Sequence, residues 1–331
     1  MTGPATWRDF VQCLFLGGAI VGCGSDESGA YYAPPPDAEY AAEEVKIMAT
    51  DGREIAGTLT LPPRGQPTPV LVMVTGSGLQ DRDQYIRGVG LSYRPFRQIA
   101  DTLTRRGIAT LRMDDPGIGG SDPFPPNATP FSYAEDIRAA LDFLRDHSGI
   151  DSRRMAVLGH SEGAVVAPLV AASDSTLAAM VLLAAPAFTL ERVSRFQRTK
   201  RWERETDLSP EKIEAEIERN TLAAERAAAR DPWRKAVWAY DPLPTAASVD
   251  IPVLLLHGEQ DQKITPDQSD TLAAAFRDAG NPDVTVHFVP ETNHFFLRTP
   301  KGRARRSDQI APQVLGVVAD WLADRLQVEE R

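Results

Sequence analysis

A serine between two glycines stands in VLGHSEGAVVAP (157–168), directly after an apolar run and before a run of small residues. Ser161 in that G-x-S-x-G setting is a candidate nucleophile, because a strand turning sharply into a helix lifts the hydroxyl above the sheet edge. Gly159 and Gly163 remove the Cβ atoms that would collide in so tight a turn. The motif alone carries little weight. With glycine at about 7 % of residues it arises by chance in about one chain in ten of this length. A serine hydroxyl is also a poor nucleophile until a base activates it, so a base and an orienting acid must follow. In a strand–serine–helix arrangement the chain order is Ser, then Asp or Glu, then His.

The chain holds five histidines. His160 precedes the serine and is expected to point away from it on the turn. His147 closes a helical run, His257 lies in the strand end LLLHG, and His287 lies within a strand. His294, in VPETNHFF, falls in the loop after the last strand and is therefore the candidate base. For the acid, Asp261 in HGEQDQKI is preferred over its neighbour Glu259, since the glycine-containing turn gives the chain room to bring it under the histidine. Its task would be to hold the imidazole tautomer and stabilise the imidazolium.

Acyl transfer also needs donors for an oxyanion. VLVMVTGSGLQDRD places a glycine-rich loop after the first central strand, where Gly76 and Gly78 let backbone amides approach a substrate. By position the donors are the amides of Ser77 and of Glu162, the residue after the nucleophile. A dinucleotide-binding loop is the rival reading of G-S-G after a strand. No third glycine follows, and Asp81 and Asp83 would repel pyrophosphate. No H-x-H or cysteine cluster has ligand spacing, so neither metal nor other cofactor is implied.

The elements that must position these residues alternate. EVKIMATDGREIAGTLTLP (44–62) reads as two β-runs about an Asp51-Gly52 turn. Strand patterns at 70–76, 108–114, 153–159, 178–187, 251–261 and 284–290 are interleaved with helical ones at 94–107, 133–147, 163–173, 266–280 and 311–327. Such alternation predicts a mostly parallel sheet with helices on both faces. Pro168 predicts a kink or a shortened segment in the helix after the serine. The alternation stops over 188–249, a heavily charged helical stretch punctuated by Phe188, Phe196, Trp202, Trp233, Trp238 and Tyr240. Ser209 before Pro210 marks a helix start there. An insertion between two strands with one apolar side predicts a helical cap over the site. The core would then comprise 44–187 and 250–327.

Composition narrows the partners. The 331 residues carry a formal charge of −10 with no basic block, which argues against nucleic acid. No apolar run in the body reaches the ~18 residues of a membrane span. Residues 1–23 instead have the layout of an export signal, with Arg8, an apolar segment and a lipobox-like Ile20-Val21-Gly22-Cys23. Residues 24–43 read as a flexible tether. The expectation is an exported protein anchored by lipid on Cys23 in a bacterial cell envelope, periplasmic or outer-membrane. Cys13 would leave with the signal, so the mature chain would form no disulfide.

GSGLQDRD, GHSEG, YDPLPTAASVDIPVLLLHGEQD and TNHFFL together resemble the α/β-hydrolase superfamily across residues 44–327. Within it they are similar to a bacterial esterase group resembling the EstD carboxylesterase. Leu79 replaces that group's usual proline, Ala164 follows GHSEG where glycine is common, and Pro116 in DDPGIGGSD replaces an arginine. The resemblance implies an α/β-hydrolase fold and a serine hydrolase of carboxylic esters, here of short to medium acyl chain. Thioesters or amides are the alternative substrates of the same triad, and a non-catalytic membrane-anchored binding protein is the rival of another class. Asp81, Arg82 and Asp83 read either as site-shaping residues or as a structural ion pair.

Overall fold

Strands that are apolar at every position can be buried only from both sides, and the chain builds that arrangement. In the computed structural model, which describes residues 32–63, 67–85, 93–206, 208–299 and 309–328, eight strands form one sheet. They are β1 (Ala41–Met48), β2 (Glu54–Leu61), β3 (Thr68–Val74), β4 (Ala109–Met113), β5 (Ile150–His160), β6 (Ala179–Leu183), β7 (Val253–Gly258) and β8 (Val284–Val289). Their spatial order is β1-β2-β4-β3-β5-β6-β7-β8. The β1–β2 hairpin turns at Asp51-Gly52 and pairs antiparallel with β4. From β4 to β8 every pairing is parallel, so five strand ends open onto the same edge beyond β4.

Nine helices accompany the sheet among the described residues: α1 (Pro95–Arg105), α2 (Pro130–Arg145), α3 (Gly163–Ala171), α4 (Leu190–Glu205), α5 (Pro210–Ala228), α6 (Pro232–Trp238), α7 (Leu243–Ala246), α8 (Asp267–Asp278) and α9 (Pro312–Arg325). Alternate residues of β3 serve opposite cores. Val70, Val72 and Val74 pack with α2, α3 and α8, while Leu71 and Met73 pack with α1 and α9. Helix α3 continues past Pro168 to Ala171, so the proline ends nothing and forfeits one ladder bond. The charged insertion folds as α4 to α7. Ile213, Ile217, Thr221 and Ala228 form the buried stripe of α5, and Phe188 and Trp233 pack against the main core.

The stretch expected as a tether begins to pack well before residue 43, which corrects that boundary. Tyr32 is buried with its ring under the Arg82 guanidinium at 4.1 Å. Arg97 donates to the Ala33 carbonyl at 2.6 Å, Tyr40 donates to Asp101 at 2.8 Å, and β1 starts at Ala41. Aromatic and charged groups on the body hold a segment that composition alone marks as loose. The export signal and Cys23 lie outside the described residues.

The Asp81–Arg82–Asp83 run is structural. Arg82 is 3 % exposed and forks onto both oxygens of Asp114, at 3.1 and 2.7 Å, while also donating to Glu44 at 2.5 Å and Thr58 at 2.7 Å. It therefore ties β1, β2 and the end of β4 to the loop after β3. Asp83 accepts from the buried Arg112 of β4, and Asp81 caps the turn by accepting from the amides of Asp83 and Tyr85. Removing one partner of such a pair strands the other charge in the interior. Arg82→Ala is expected to cost about 3–5 kcal/mol of stability in urea unfolding. A loss below about 1 kcal/mol, the scale of an exposed pair, would contradict that placement.

Candidate active site

Strand β5 ends at His160, and the next residue, Ser161, has φ +55°, a left-handed conformation that a non-glycine residue adopts only under constraint. The constraint comes from both sides. The Ser161 amide donates to the Leu183 carbonyl of β6 at 2.9 Å, and the Ser161 carbonyl accepts from Ala164 at 3.0 Å as α3 begins. A Cβ on Gly159 would lie 2.2 Å from the Gly163 carbonyl oxygen, and one on Gly163 would lie 2.3 Å from the Val74 oxygen. Both are backbone clashes, so the glycines are required by the closeness of the turn.

His294 and Asp261 reach Ser161 from the neighbouring strand ends. Gly258 closes β7 against the histidine loop, with a Cβ there meeting the Thr292 and Asn293 carbonyls at 2.6 Å. The Gln260 amide donates to the Thr292 carbonyl at 2.9 Å, lacing the two loops together. Asn293 folds the histidine loop by accepting from the amides of Phe295 and Leu297, at 3.0 and 3.1 Å. The result is a continuous relay. Ser161 Oγ lies 3.1 Å from His294 Nε2, and His294 Nδ1 lies 2.7 Å from Asp261 Oδ2. Because the carboxylate can only accept, Nδ1 carries the proton and Nε2 is free to take one from the hydroxyl. Glu259, the competing acid, is exposed instead.

Asp261 is held ionised. Burial works against its charge, but His294 and His257 outweigh burial and keep its carboxyl well below the ordinary range. Its other oxygen accepts from the amides of Lys263 and Ile264, at 2.7 and 3.0 Å. His257 lies 3.2 Å from Oδ2 and donates from Nε2 to the Ile264 carbonyl at 2.9 Å. His160 corrects another expectation. It does not point away from the site but packs against His294, with the two ring centroids 5.1 Å apart. Its Nε2 donates to the His294 carbonyl at 3.1 Å and its Nδ1 accepts from Gln84 at 2.8 Å. Burial, then the nearby His294, lowers its pKa to about 3, so it stays a neutral strut. Nothing local in the sequence signals this contact across the sheet.

Ser77 and Glu162 border the same cavity of about 210 Å³ as Ser161 and His294. The Ser77 carbonyl accepts from Gln80 Nε2 at 2.9 Å, and the Glu162 amide stands at the N-terminal end of α3, where amides lack intrahelical partners. The loop between them is clamped by Asp115, a residue whose place in the site the sequence reading missed. Its Oδ1 accepts from Thr75 at 2.5 Å and from Tyr133 at 2.8 Å, and its Oδ2 accepts from the Gln80 amide at 2.8 Å. Both ends of the 75–80 loop thus hang on one carboxylate. The Glu162 side chain accepts from Trp233 of α6 at 2.7 Å, joining the turn to the cap. Leu190, Val193, Gln197, Val237 and Tyr240 complete the cavity from the cap segment.

This geometry has counterparts. A family model described as serine aminopeptidase, S33, matches residues 85–301, more than half of the chain. The chain belongs to that family. This S33 member is 25 % identical over 307 residues to Esterase EstD of Thermotoga maritima, covering 88 % of the chain and 70 % of the relative. A 77-residue stretch, 23 % of the chain, is 35 % identical to the uncharacterized peptidase YuxL of Bacillus subtilis and spans 12 % of it. Among solved structures, the Pyrococcus furiosus esterase Pf2001 superposes with a TM-score of 0.63 at 16 % identity, covering 93 % of this chain and 96 % of that one. The fold of this S33 protein is accordingly that of the α/β hydrolases, as the resemblance in its motifs implied.

Burial raises the Asp115 pKa to about 7, against the lowering bonds from Thr75, Tyr133 and Gln80. An acid raised in the folded state adds stability below its unfolded value and loses it as pH climbs through the folded one. The melting temperature of the wild type, taken relative to Asp115→Asn, should therefore fall between about pH 4 and about pH 7. A difference that is flat or rises over that interval would contradict the assignment.

Proposed function

We propose that this S33 protein is a serine carboxylester hydrolase for short to medium acyl groups, acting through Ser161, His294 and Asp261. The observation that carries the reading is the relay itself, 3.1 Å from hydroxyl to imidazole and 2.7 Å from imidazole to carboxylate. Ser161 Oγ forms a bond to the ester carbonyl carbon as its proton passes to His294 Nε2. The negative charge on the carbonyl oxygen is met by the amides of Ser77 and Glu162, each such donor being worth about 10²–10³ in rate. Collapse breaks the bond to the leaving oxygen, which takes the proton from His294, leaving an acyl-serine. Water then gives its proton to His294, adds to the acyl carbon, and releases the acid and the free serine. Asp261, held ionised, stabilises the imidazolium at both stages without taking the proton.

A second reading has an observation of its own. The family description is that of an aminopeptidase, and the 77-residue likeness is to a peptidase, which favours an amide bond at the same serine. The N-terminal segment supports export with lipid on Cys23, and an intact Met1 in the mass of the mature protein would end that idea.

Hydrolysis of p-nitrophenyl esters decides between the bond types and the roles. Ser161→Ala should lose at least about 10⁴ in kcat. Asp261→Asn should lose on the order of 10⁴, because the amide favours the wrong imidazole tautomer. Ester rates equal to background in the wild type, beside cleavage of aminoacyl amides, would favour the peptidase reading. Retention of ester activity in Ser161→Ala would overturn both.

A further inference from the structure

Besides the cavity that holds Ser161 and His294, a second one of about 350 Å³ also borders Glu162, within the usual size of small-molecule pockets. The two share Gly76 and Glu162. His294 borders only the smaller. In the proposed reaction His294 hands its proton to the leaving oxygen, so the leaving group must lie on the histidine side. The acyl group, on the other substituent of the same carbon, is then directed past Glu162 toward the larger chamber.

The walls of that chamber are specific. Phe124, Tyr133 and Trp233 pack on one another with ring centroids 5.7 to 6.4 Å apart, edge-on or tilted, and the cluster lines the chamber. Leu79 and Pro116 add apolar surface. Among the described residues its acids are Asp115, Glu162 and Asp231, against one cation, Arg234, whose Nε lies 3.7 Å from Asp231. Glu162 accepts from the Ser77 side chain and, at 2.7 Å, from Trp233, and its two oxygens retain acceptor capacity beyond those two bonds. A linear chain would meet flat rings with few matching contacts, and an anionic group would meet carboxylates. A flat ring bearing a hydroxyl or amino donor satisfies both features.

Resting on the esterase reading, the geometry points to this chamber as the acyl pocket and to a hydroxylated or amino-substituted aromatic acyl group, of about phenylpropenoyl size, as the substrate class. Trp233 is its specificity-determining residue, tied to the nucleophile turn through Glu162.

The test is a panel of methyl esters on the full chain: 4-hydroxycinnamate, cinnamate, hexanoate and monomethyl succinate. The hydroxylated aromatic ester should exceed hexanoate by at least tenfold in kcat/KM, cinnamate should fall between them, and succinate should be slowest. The aromatic-to-hexanoate ratio should drop at least tenfold in Trp233→Ala. It should also drop in Leu79→Trp, a substitution at a residue 61 % exposed that narrows the chamber without touching the core. Hexanoate equal to or better than the aromatic ester overturns the assignment, as does a ratio unmoved by both substitutions. Failure of every ester, with no labelling of Ser161 by a fluorophosphonate, is a different outcome and overturns the esterase reading along with it.

Discussion

A serine backbone held at φ +55° costs on the order of 1–3 kcal/mol, and the conformation persists only where the surroundings over-determine it. Here the surroundings are the sheet. The bond from the Ser161 amide to β6 fixes the turn from one side, and the contact of Gly163 with the end of β3 fixes it from below. Three consecutive parallel strands therefore meet at one residue. The same parallel register carries Asp261 and His294 out of β7 and β8 onto the same edge, so the relay follows from the strand order. If β6 or β3 moved, the hydroxyl would leave the edge and the relay would open.

Preorganisation extends one layer outward by polar contacts that are buried or half-buried. His160 props the His294 backbone, Asp115 clamps the loop that carries Ser77, and Glu162 connects the turn to Trp233 in the cap. Each is a group whose loss leaves a partner unsatisfied in a low-dielectric setting, which makes such shells rigid. The Arg82–Asp114 fork does the same for the hairpin end of the sheet, where it also secures Tyr32. In the proposed reaction, rigidity at these points would hold the Ser77 and Glu162 amides in place before charge develops.

Much of this was legible in the sequence because the relevant signals are local. Ser161, Asp261 and His294 each follow a strand pattern at the distance expected of a parallel sheet, and unbroken apolar runs such as VLVMV mark strands buried on both faces. What was not legible depends on residues far apart in the chain. His160 reads as a bystander until β8 brings the His294 carbonyl to its Nε2. Asp115 sits in a glycine-rich turn whose partners, Thr75 and Tyr133, come from other elements. Tyr32 to Glu43 looks loose by composition because the arginines and aspartate that hold it belong to Arg82, Arg97 and Asp101 elsewhere. The second chamber has no sequence signature at all, since Phe124, Tyr133 and Trp233 converge only in the fold.

The most direct measurement of the central claim is peptide mapping of the wild-type protein after reaction with a fluorophosphonate. Only a serine whose hydroxyl is activated by a neighbouring base reacts readily with that reagent. The account predicts a single adduct, on Ser161 in the peptide containing GHSEG, formed far more slowly in His294→Ala. An adduct on another serine, or labelling of Ser161 at the same rate without His294, would contradict it.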